Sequence, residues 1–155
     1  MTVFLSTHTH KIDKKGRVSV PASFRALLSQ QSFQGIVVFR SLSLAAIEGF
    51  GMDRMEKLSA QIDRLDSFSQ DRDDLTASIF ADAQPLPFDS EGRILLPENL
   101  ISYGQLQENV AFVGRGATFQ LWNPENFKDH QEKARQRLLK QHPSLPPLPF
   151  GERIS

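Results

Sequence analysis

A cluster of basic side chains lies close to the start of the chain. Four of the seven residues from position 11 to position 17 are lysine or arginine, and an aspartate stands among them. The basic residues are Lys11, Lys14, Lys15 and Arg17, and the acidic one is Asp13. Ammonium and guanidinium groups bind phosphates and carboxylates, and a guanidinium can form two parallel hydrogen bonds with a planar pair of acceptors. The chemistry that this cluster predicts is therefore the binding of an anion, not a covalent reaction.

The cluster belongs to a ten-residue motif that occurs twice. Residues 12–21 read IDKKGRVSVP, and residues 88–97, which lie 76 positions further along the chain, read FDSEGRILLP. An apolar residue, Asp, Gly, Arg, a β-branched residue and Pro coincide in the two copies. The second copy keeps an arginine, Arg93, but it has Ser90 and Glu91 where the first copy has two lysines. Because a carboxylate repels phosphate, we expect the first copy to bind anions more strongly.

Each motif also has the residues of a tight hairpin turn. An aspartate at the first corner of a turn accepts hydrogen bonds from backbone N–H groups further along the turn, and glycine readily adopts a positive φ. We therefore predict hairpin turns at residues 13–16 and 89–92. The residues expected to make the turns and orient the arginines are Asp13, Gly16, Asp89 and Gly92. For Arg17 and Arg93 the simpler interpretation is a salt bridge to the aspartate of the same turn, and that bond can coexist with a ligand contact.

The same order of predicted elements follows each motif. The proline that ends the motif suits the first turn of a helix, where its missing N–H breaks no hydrogen bond. Apolar runs then predict two strands in each copy. The predicted helices are Ala22–Ser29 and Glu98–Tyr103, and the predicted strands are Ile36–Arg40, Leu44–Ile47, Val110–Arg115 and Thr118–Trp122.

Further helices are predicted outside the two copies. Between the copies, apolar residues spaced by three or four predict an amphipathic helix whose packed stripe consists of Met52, Met55, Leu58, Ile62, Leu65 and Phe68. A second short helix is predicted from Ser69 or Asp71 to Phe80. After the second copy, Asn123-Pro124-Glu125 predicts a helix that runs to about Gln141. From Pro143 onward, four prolines in 13 residues predict an extended tail.

Composition excludes several classes of protein. The chain has no cysteine, which excludes disulfides, thiol catalysis and cysteine-bound zinc. The N-terminal residues do not resemble a secretion signal, and no apolar run approaches the roughly 18 residues that span a bilayer. We therefore expect a cytoplasmic protein without a membrane partner. His8 and His10 share a strand face, but no third ligand stands at a recognisable spacing, so we predict no metal site and no cofactor.

The formal net charge of zero hides an uneven distribution of charge. Residues 1–30 carry five basic side chains and one acidic side chain, whereas residues 31–82 carry five basic and nine acidic ones. The remaining residues carry eight of each sign. Because salt screens exposed charges beyond about 10 Å, a basic face can bind phosphates although an acidic face lies beside it. A nucleic-acid partner is therefore compatible with the neutral total.

Together these residues resemble the MraZ family of bacterial proteins. The resemblance is carried by Phe4-Leu5-Ser6 and residues 12–25, and in the second half by Phe112–Arg115 and Phe119–Trp122. It implies an α+β fold in which two swapped-hairpin half-domains of the SpoVT/AbrB type pack as an intramolecular pseudo-dimer. The boundaries expected are 7–54 for the first half-domain, 55–82 for a helical connector, 83–126 for the second half-domain and 127–155 for a C-terminal helix and proline-rich tail.

The resemblance also implies a function. Members of the family regulate the bacterial division and cell-wall gene cluster, chiefly as repressors. They assemble into rings and bind tandem direct repeats in double-stranded DNA near their own promoter. The family's DNA-contacting Asp-x-x-x-Arg motif falls on Asp13 with Arg17 and on Asp89 with Arg93, and we expect phosphate contacts from Lys11, Lys14 and Lys15. The expected partners are DNA and further copies of the chain at the nucleoid, without a small-molecule substrate.

Two other functions are compared with this expectation. An enzyme is disfavoured because the sequence has no glycine-rich phosphate loop, no metal-ligand series and no carboxylates in a recognisable catalytic motif. A scaffold protein that self-associates without binding DNA is the better alternative, since it would also explain the repeat and the amphipathic helix. In that case the lysines of the first motif would serve as a solvated sheet edge that prevents aggregation.

Overall fold

The computed structural model of the protein describes residues 2–149. They fall into two compact units, one that ends at Pro124 and one that begins at Glu125. The strands are β1 (Thr7–Lys11), β2 (Arg17–Ser19), β3 (Gly35–Arg40), β4 (Ile47–Phe50), β5 (Gln84–Pro87), β6 (Arg93–Leu95), β7 (Asn109–Gly114) and β8 (Phe119–Trp122). The helices are α1 (Ala22–Leu28), α2 (Met52–Ile62), α3 (Gln70–Leu75), α4 (Glu98–Tyr103) and α5 (Pro124–Gln141), and a π-helical turn, Thr76–Phe80, continues α3.

The strands form one large antiparallel sheet and one small antiparallel ribbon. The sheet has the order β1-β7-β8-β4-β3-β5, and the ribbon consists of β2 and β6. In the sheet, β1 of the first copy pairs with β7 of the second, and β5 of the second copy pairs with β3 of the first. Each copy thus lends its first strand to the other. This exchange confirms the predicted α+β fold with two swapped hairpins in an intramolecular pseudo-dimer.

The strand registers locate the axis that relates the two copies. In the ribbon, Val18 pairs with Ile94, its own counterpart 76 residues later. In the sheet, the counterparts β4 and β8 are neighbours, and Glu48 pairs with Gln120. A strand that pairs with its own counterpart must lie on the symmetry axis. The pseudo-twofold axis therefore passes through both pairs, and it crosses the middle of the ribbon.

Apolar side chains cover both faces of the sheet. On β3, Ile36 and Val38 point into one core and Val37 and Phe39 into another, because alternate residues of a strand face opposite ways. The larger core lies between the sheet, the ribbon and the helices α1 and α4, and it includes the contacting rings of Phe4, Phe24 and Phe119. The smaller core is formed with α2, α3 and the π-helical turn. The inner face of the ribbon thus packs against the larger core, which holds the ribbon in place.

The strand β4 begins at Ile47, so the strand predicted at Leu44–Ile47 was placed three residues too early. The hydroxyl of Ser41 accepts hydrogen bonds from the backbone N–H groups of Ser43 and Leu44. The N–H of Ser41 bonds the carbonyl of Ala46 and closes the loop. These local bonds hold the apolar residues before Ile47 in a turn, and an apolar run cannot by itself reveal such a turn.

The helix α2 ends at Ile62, so the prediction of a packed stripe that reaches Phe68 was wrong for its last members. Phe68 is 97% exposed, and Leu65 is also exposed. The carboxylate of Asp66 accepts the N–H of Phe68, and its carbonyl accepts the hydroxyl of Ser69. Ser69 then caps α3 by accepting the N–H of Arg72. Two polar residues therefore break the helix that the apolar spacing predicted.

Other predicted elements are present with small changes at their ends. The helices α1, α4 and α5 lie where the two prolines and the Asn123-Pro124-Glu125 sequence predicted them. Residues 142–148 have no regular secondary structure, and the end of the predicted tail lies outside the described residues. Within residues 2–149, no helix is long and apolar enough to cross a membrane. The residue boundaries expected for the half-domains and the connector stay predictions.

Candidate nucleic-acid interface

The two hairpin turns have the same set of hydrogen bonds. In the first, Asp13 Oδ1 accepts the N–H groups of Lys15 and Arg17, both at 2.9 Å, and the carbonyl of Asp13 accepts the N–H of Gly16 at 3.0 Å. In the second, Asp89 accepts the corresponding N–H groups at 2.8–3.1 Å. The glycines at the fourth position have φ values of +89° and +75°. In each turn the aspartate therefore accepts the hydrogen bonds that close the turn, and the glycine adopts the left-handed conformation that the turn requires, as the sequence predicts.

Each aspartate also holds the arginine that follows the turn. Arg17 Nε donates to Asp13 Oδ2 at 2.8 Å, and Arg93 Nε donates to Asp89 Oδ2 at 2.9 Å. The hydrogen bond from the backbone N–H of Arg17 is the largest cause of the lowered pKa of the Asp13 carboxyl; burial opposes it, and the Arg17 guanidinium and the N–H of Lys15 lower the pKa further. Arg93 lowers the pKa of Asp89 in the same way. Both carboxylates thus stay ionised and keep their arginines in one orientation.

The two arginines lie on one exposed face of the ribbon. The register places Arg17 opposite Leu95 and Arg93 opposite Ser19, while Val18 and Ile94 between them point into the larger core. Arg17 and Arg93 are therefore diagonal neighbours across the pseudo-twofold axis, at a spacing of about 7–8 Å between their backbones. The arrangement brings together the two residues that the sequence singled out, on a surface that faces away from the core.

Each turn and its arginine are called an arm here, the first at residues 13–17 and the second at residues 89–93. The two arms differ in how many guanidinium nitrogens are available to bind a ligand. Arg93 Nη2 forms an ion pair with Glu91 at 3.1 Å. The terminal nitrogens of Arg17 have no partner among the described residues, because its salt bridge to Asp13 uses only Nε. Lys11, Lys14 and Lys15 are exposed, and within residues 2–149 none of them forms an ion pair. The first arm thus presents more positive charge than the second.

Each turn is supported by the residue that follows the ribbon strand of the other copy. The carbonyl of Gly16 accepts the N–H of Leu96 at 2.8 Å, and the carbonyl of Gly92 accepts the N–H of Val20 at 3.2 Å. The side chain of Leu95, which is 57% exposed, also lies beside Gly16. The two turns therefore share one rigid base, and neither could keep its position if the copies separated.

Arg25 also belongs to this region, although the sequence motif does not include it among the predicted site residues. Arg25 lies on α1, and its Nε donates to the carbonyl of Val20 at 3.0 Å. Its side chain lies across the backbone of Gly92, so that a Cβ there would come within 2.5 Å of Nη1. The signal that could have revealed it is the repeat itself, because the residue 76 positions later, Ile101, occupies the corresponding place beside Gly16.

Of the two histidines of β1, one contacts a backbone carbonyl and the other packs against an aromatic ring. His10 Nδ1 is 2.8 Å from the carbonyl oxygen of Ser19, and the ring of His8 contacts the ring of Phe24 edge-on. Among residues 2–149 there is no group of three or more potential ligands that could hold a metal ion.

Comparison with known proteins agrees with this geometry. The family described as "MraZ protein, putative antitoxin-like" matches residues 3–77 and 79–144, so that each match contains one hairpin. The chain belongs to the MraZ family. Among MraZ proteins, it is 47% identical over 140 residues to one from Gluconobacter oxydans, with 88% of this chain and 85% of the relative covered. It is 45% identical over 143 residues to one from Pelagibacter ubique, with 92% of each chain covered.

A third relative, from Rickettsia canadensis, is 42% identical over 134 residues, which are 86% of this chain and 90% of the relative. All three relatives are named "Transcriptional regulator MraZ". These names describe regulators of transcription and not enzymes.

Proposed function

We propose that this MraZ family member regulates transcription by binding double-stranded DNA with the outer face of the β2–β6 ribbon. The observation that supports the proposal is the placement of Arg17 and Arg93 on that one face, each oriented by an aspartate. The major groove of B-DNA is wide enough for a two-stranded β-ribbon. A ribbon that rests on a packed core and carries two oriented arginines has the shape and the charge for such a groove.

The side chains divide the work by their chemistry. An arginine can form two hydrogen bonds with O6 and N7 of a guanine, which gives sequence specificity. Arg17 has its terminal nitrogens free for this contact, whereas Arg93 must first break its ion pair with Glu91 before its Nη2 can bind a base. Lys11, Lys14 and Lys15 contribute charge to phosphates, which gives affinity but no sequence information. Asp13 and Asp89 hold the turns and do not contact DNA.

The assembly and the target follow from the family resemblance. A single ribbon makes few contacts, so we infer that several protomers of a ring bind tandem direct repeats together. The repeats lie near the promoter of the protein's own gene, in the division and cell-wall gene cluster, and binding there represses transcription. The protein then works at the nucleoid in the cytoplasm.

The proposal is tested by a mobility shift with the DNA upstream of the gene at two salt concentrations. Specific binding predicts a shift that weakens as salt rises, because each phosphate contact releases counterions. Arg17→Ala should abolish the shift. Arg64→Ala is the matched control, since it removes an exposed arginine from the loop after α2, a helix that packs in the smaller core and not in the core under the ribbon, and it should leave the shift unchanged.

The scaffold alternative predicts a different result in the same experiment. A protein that only self-associates would show no shift with the upstream DNA, and its self-association, followed by light scattering, would be insensitive to salt. That combination would refute DNA binding. A shift that persists in Arg17→Ala would instead refute the role of the first arm.

A further inference from the structure

The two turns have opposite net charges, although they have the same backbone. Residues 13–17 carry two lysines and an arginine against one aspartate, a net charge of +2. Residues 89–93 carry one arginine against an aspartate and a glutamate, a net charge of −1. A surface that binds two phosphate backbones needs positive charge at both turns. Taken alone, the second turn lacks it.

A basic residue from the other copy lies at the second turn. The Nε of Arg25 is fixed by its hydrogen bond to the carbonyl of Val20, and its Cδ and Cζ both come within 2.8 Å of the Cβ position of Gly92. The side chain is therefore pressed flat on the turn. No other hydrogen bond or ion pair of this guanidinium occurs in the described part of the chain, so both terminal nitrogens are available to a ligand.

The corresponding place at the first turn holds an apolar side chain. Ile101, the counterpart of Arg25, has its Cδ1 3.6 Å from the Cβ position of Gly16. An isoleucine is sufficient there for packing against the glycine, so packing alone does not require an arginine at this place. The arginine lies at the turn with two carboxylates, and the isoleucine lies at the turn with two lysines.

We propose that Arg25 is a phosphate-binding residue of the second arm, which supplies the charge that Ser90 and Glu91 do not. The helix of the first copy then serves the hairpin of the second, and each arm of the ribbon can hold one phosphate backbone. This inference rests on the proposed function, because it assigns a further contact to the same DNA-binding face. A phosphate contact weakens binding to all sequences alike when it is removed, whereas a base contact changes the discrimination between sequences.

The experiment measures binding of the full chain to a fluorescent upstream duplex and to an unrelated duplex over a series of salt concentrations. Arg25→Gln removes the charge and should make the slope of log K against log salt shallower by about one for each bound protomer. It should weaken binding to both duplexes equally. Arg25→Lys keeps the charge and should keep the slope. Arg64→Gln, which neutralises an exposed arginine outside this face, should behave as the wild type.

The outcomes separate the inference from its basis. If the wild type binds neither duplex in a salt-dependent way, the proposed function fails and the inference falls with it. If the wild type binds and Arg25→Gln has the same slope, the inference alone is wrong. Thermal unfolding is measured on the same variants. If the slope of log K against log salt becomes equally shallow in Arg25→Gln and Arg25→Lys, and both variants also unfold at lower temperature, Arg25 only supports the turn and the phosphate contact is refuted.

Discussion

A salt bridge and a DNA contact can use different atoms of one arginine. Asp13 and Asp89 bind the Nε atoms of their arginines, and this edge of each guanidinium is turned toward the hairpin. In Arg17 the terminal nitrogens remain without a partner among the described residues. The simple interpretation of a salt bridge and the functional one are therefore compatible, since the first holds the group in the orientation that the second needs.

Loss of the Arg17 side chain should raise the pKa of the Asp13 carboxyl only part of the way to its ordinary value. The backbone N–H of Arg17 is the largest cause of its lowered pKa, and Arg17→Ala keeps that N–H. Asp82 forms an ion pair at 2.7 Å with Arg40, the last residue of β3, and the Arg40 side chain is the largest cause of its lowered pKa. Arg40→Ala should therefore bring the pKa of Asp82 closer to the ordinary value near 3.9 than Arg17→Ala brings the pKa of Asp13. The measurement is the carboxyl carbon shift of each aspartate against pH by NMR.

The sign of the pH dependence follows from these lowered pKa values. A carboxyl with a lower pKa in the folded state stabilises the fold above its unfolded pKa, and this contribution is lost as pH falls through the folded pKa.

For the NMR titration of Asp13, the control variant is Lys15→Ala, which should leave the pKa of Asp13 lowered because the backbone N–H of residue 15 still donates. Complete recovery of the ordinary pKa in Arg17→Ala would contradict the dominance of the backbone bond.

At the level of elements, the sequence predicted the two hairpin turns but not every end of a strand or helix. The turns at Asp13 and Asp89 were predictable because their hydrogen bonds lie within five residues. The start of β4 and the end of α2 were not, because Ser41 and Asp66 form local bonds that compete with a strand and a helix. Nor could an alternation of apolar residues show which copy β1 pairs with, because β1 contains no apolar residue and none of its side chains is fully buried. The exchange of strands came from the family resemblance.

Gly16→Ala should destabilise the protein more than Gly116→Ala. Both glycines have a positive φ, +89° and +86°, and placing alanine in such a conformation costs about 1–3 kcal/mol. A Cβ at Gly16 would also lie 2.9 Å from the backbone carbonyl oxygen of Leu96, whereas a Cβ at Gly116 would meet nothing within 4 Å. Thermal unfolding measures the difference, with about 2–4 °C expected per kcal/mol. Equal unfolding temperatures would show that the ribbon shifts without cost.

The apolar stripe of the connector should divide at the end of α2. Ile62 is buried in the smaller core, so Ile62→Ala should cost about 2–5 kcal/mol in the free energy of unfolding. Phe68 is almost fully exposed, so Phe68→Ala should change this free energy by no more than about 0.5 kcal/mol. Urea unfolding at a protein concentration low enough to avoid self-association compares the two. A large loss in Phe68→Ala would mean that the helix continues past Ile62.

For the whole molecule, a pseudo-dimer in one chain allows two arms that are not identical. In a dimer of identical chains, both turns would carry the same charges and the protein would fit a palindrome. Here the first turn has a net charge of +2 and the second of −1, and Arg25 lies at the second alone. Under the proposed function, a protomer with two different arms would bind DNA in one direction. That property suits direct repeats, in which successive sites point the same way.

The number of repeats in the target should control affinity more strongly than simple counting predicts. If several protomers of a ring bind one DNA molecule, each further contact is intramolecular and can raise affinity by a factor of about 10²–10⁴. Reducing the upstream target to one repeat should therefore lower affinity by far more than the ratio of the repeat numbers, as measured by fluorescence anisotropy. A target that keeps all repeats but has about five base pairs inserted between neighbours turns each site to the opposite side of the duplex, and it should lose a similar amount. Equal affinity for one repeat and for several would refute binding by a ring of linked protomers, while single-site recognition by the ribbon would stand.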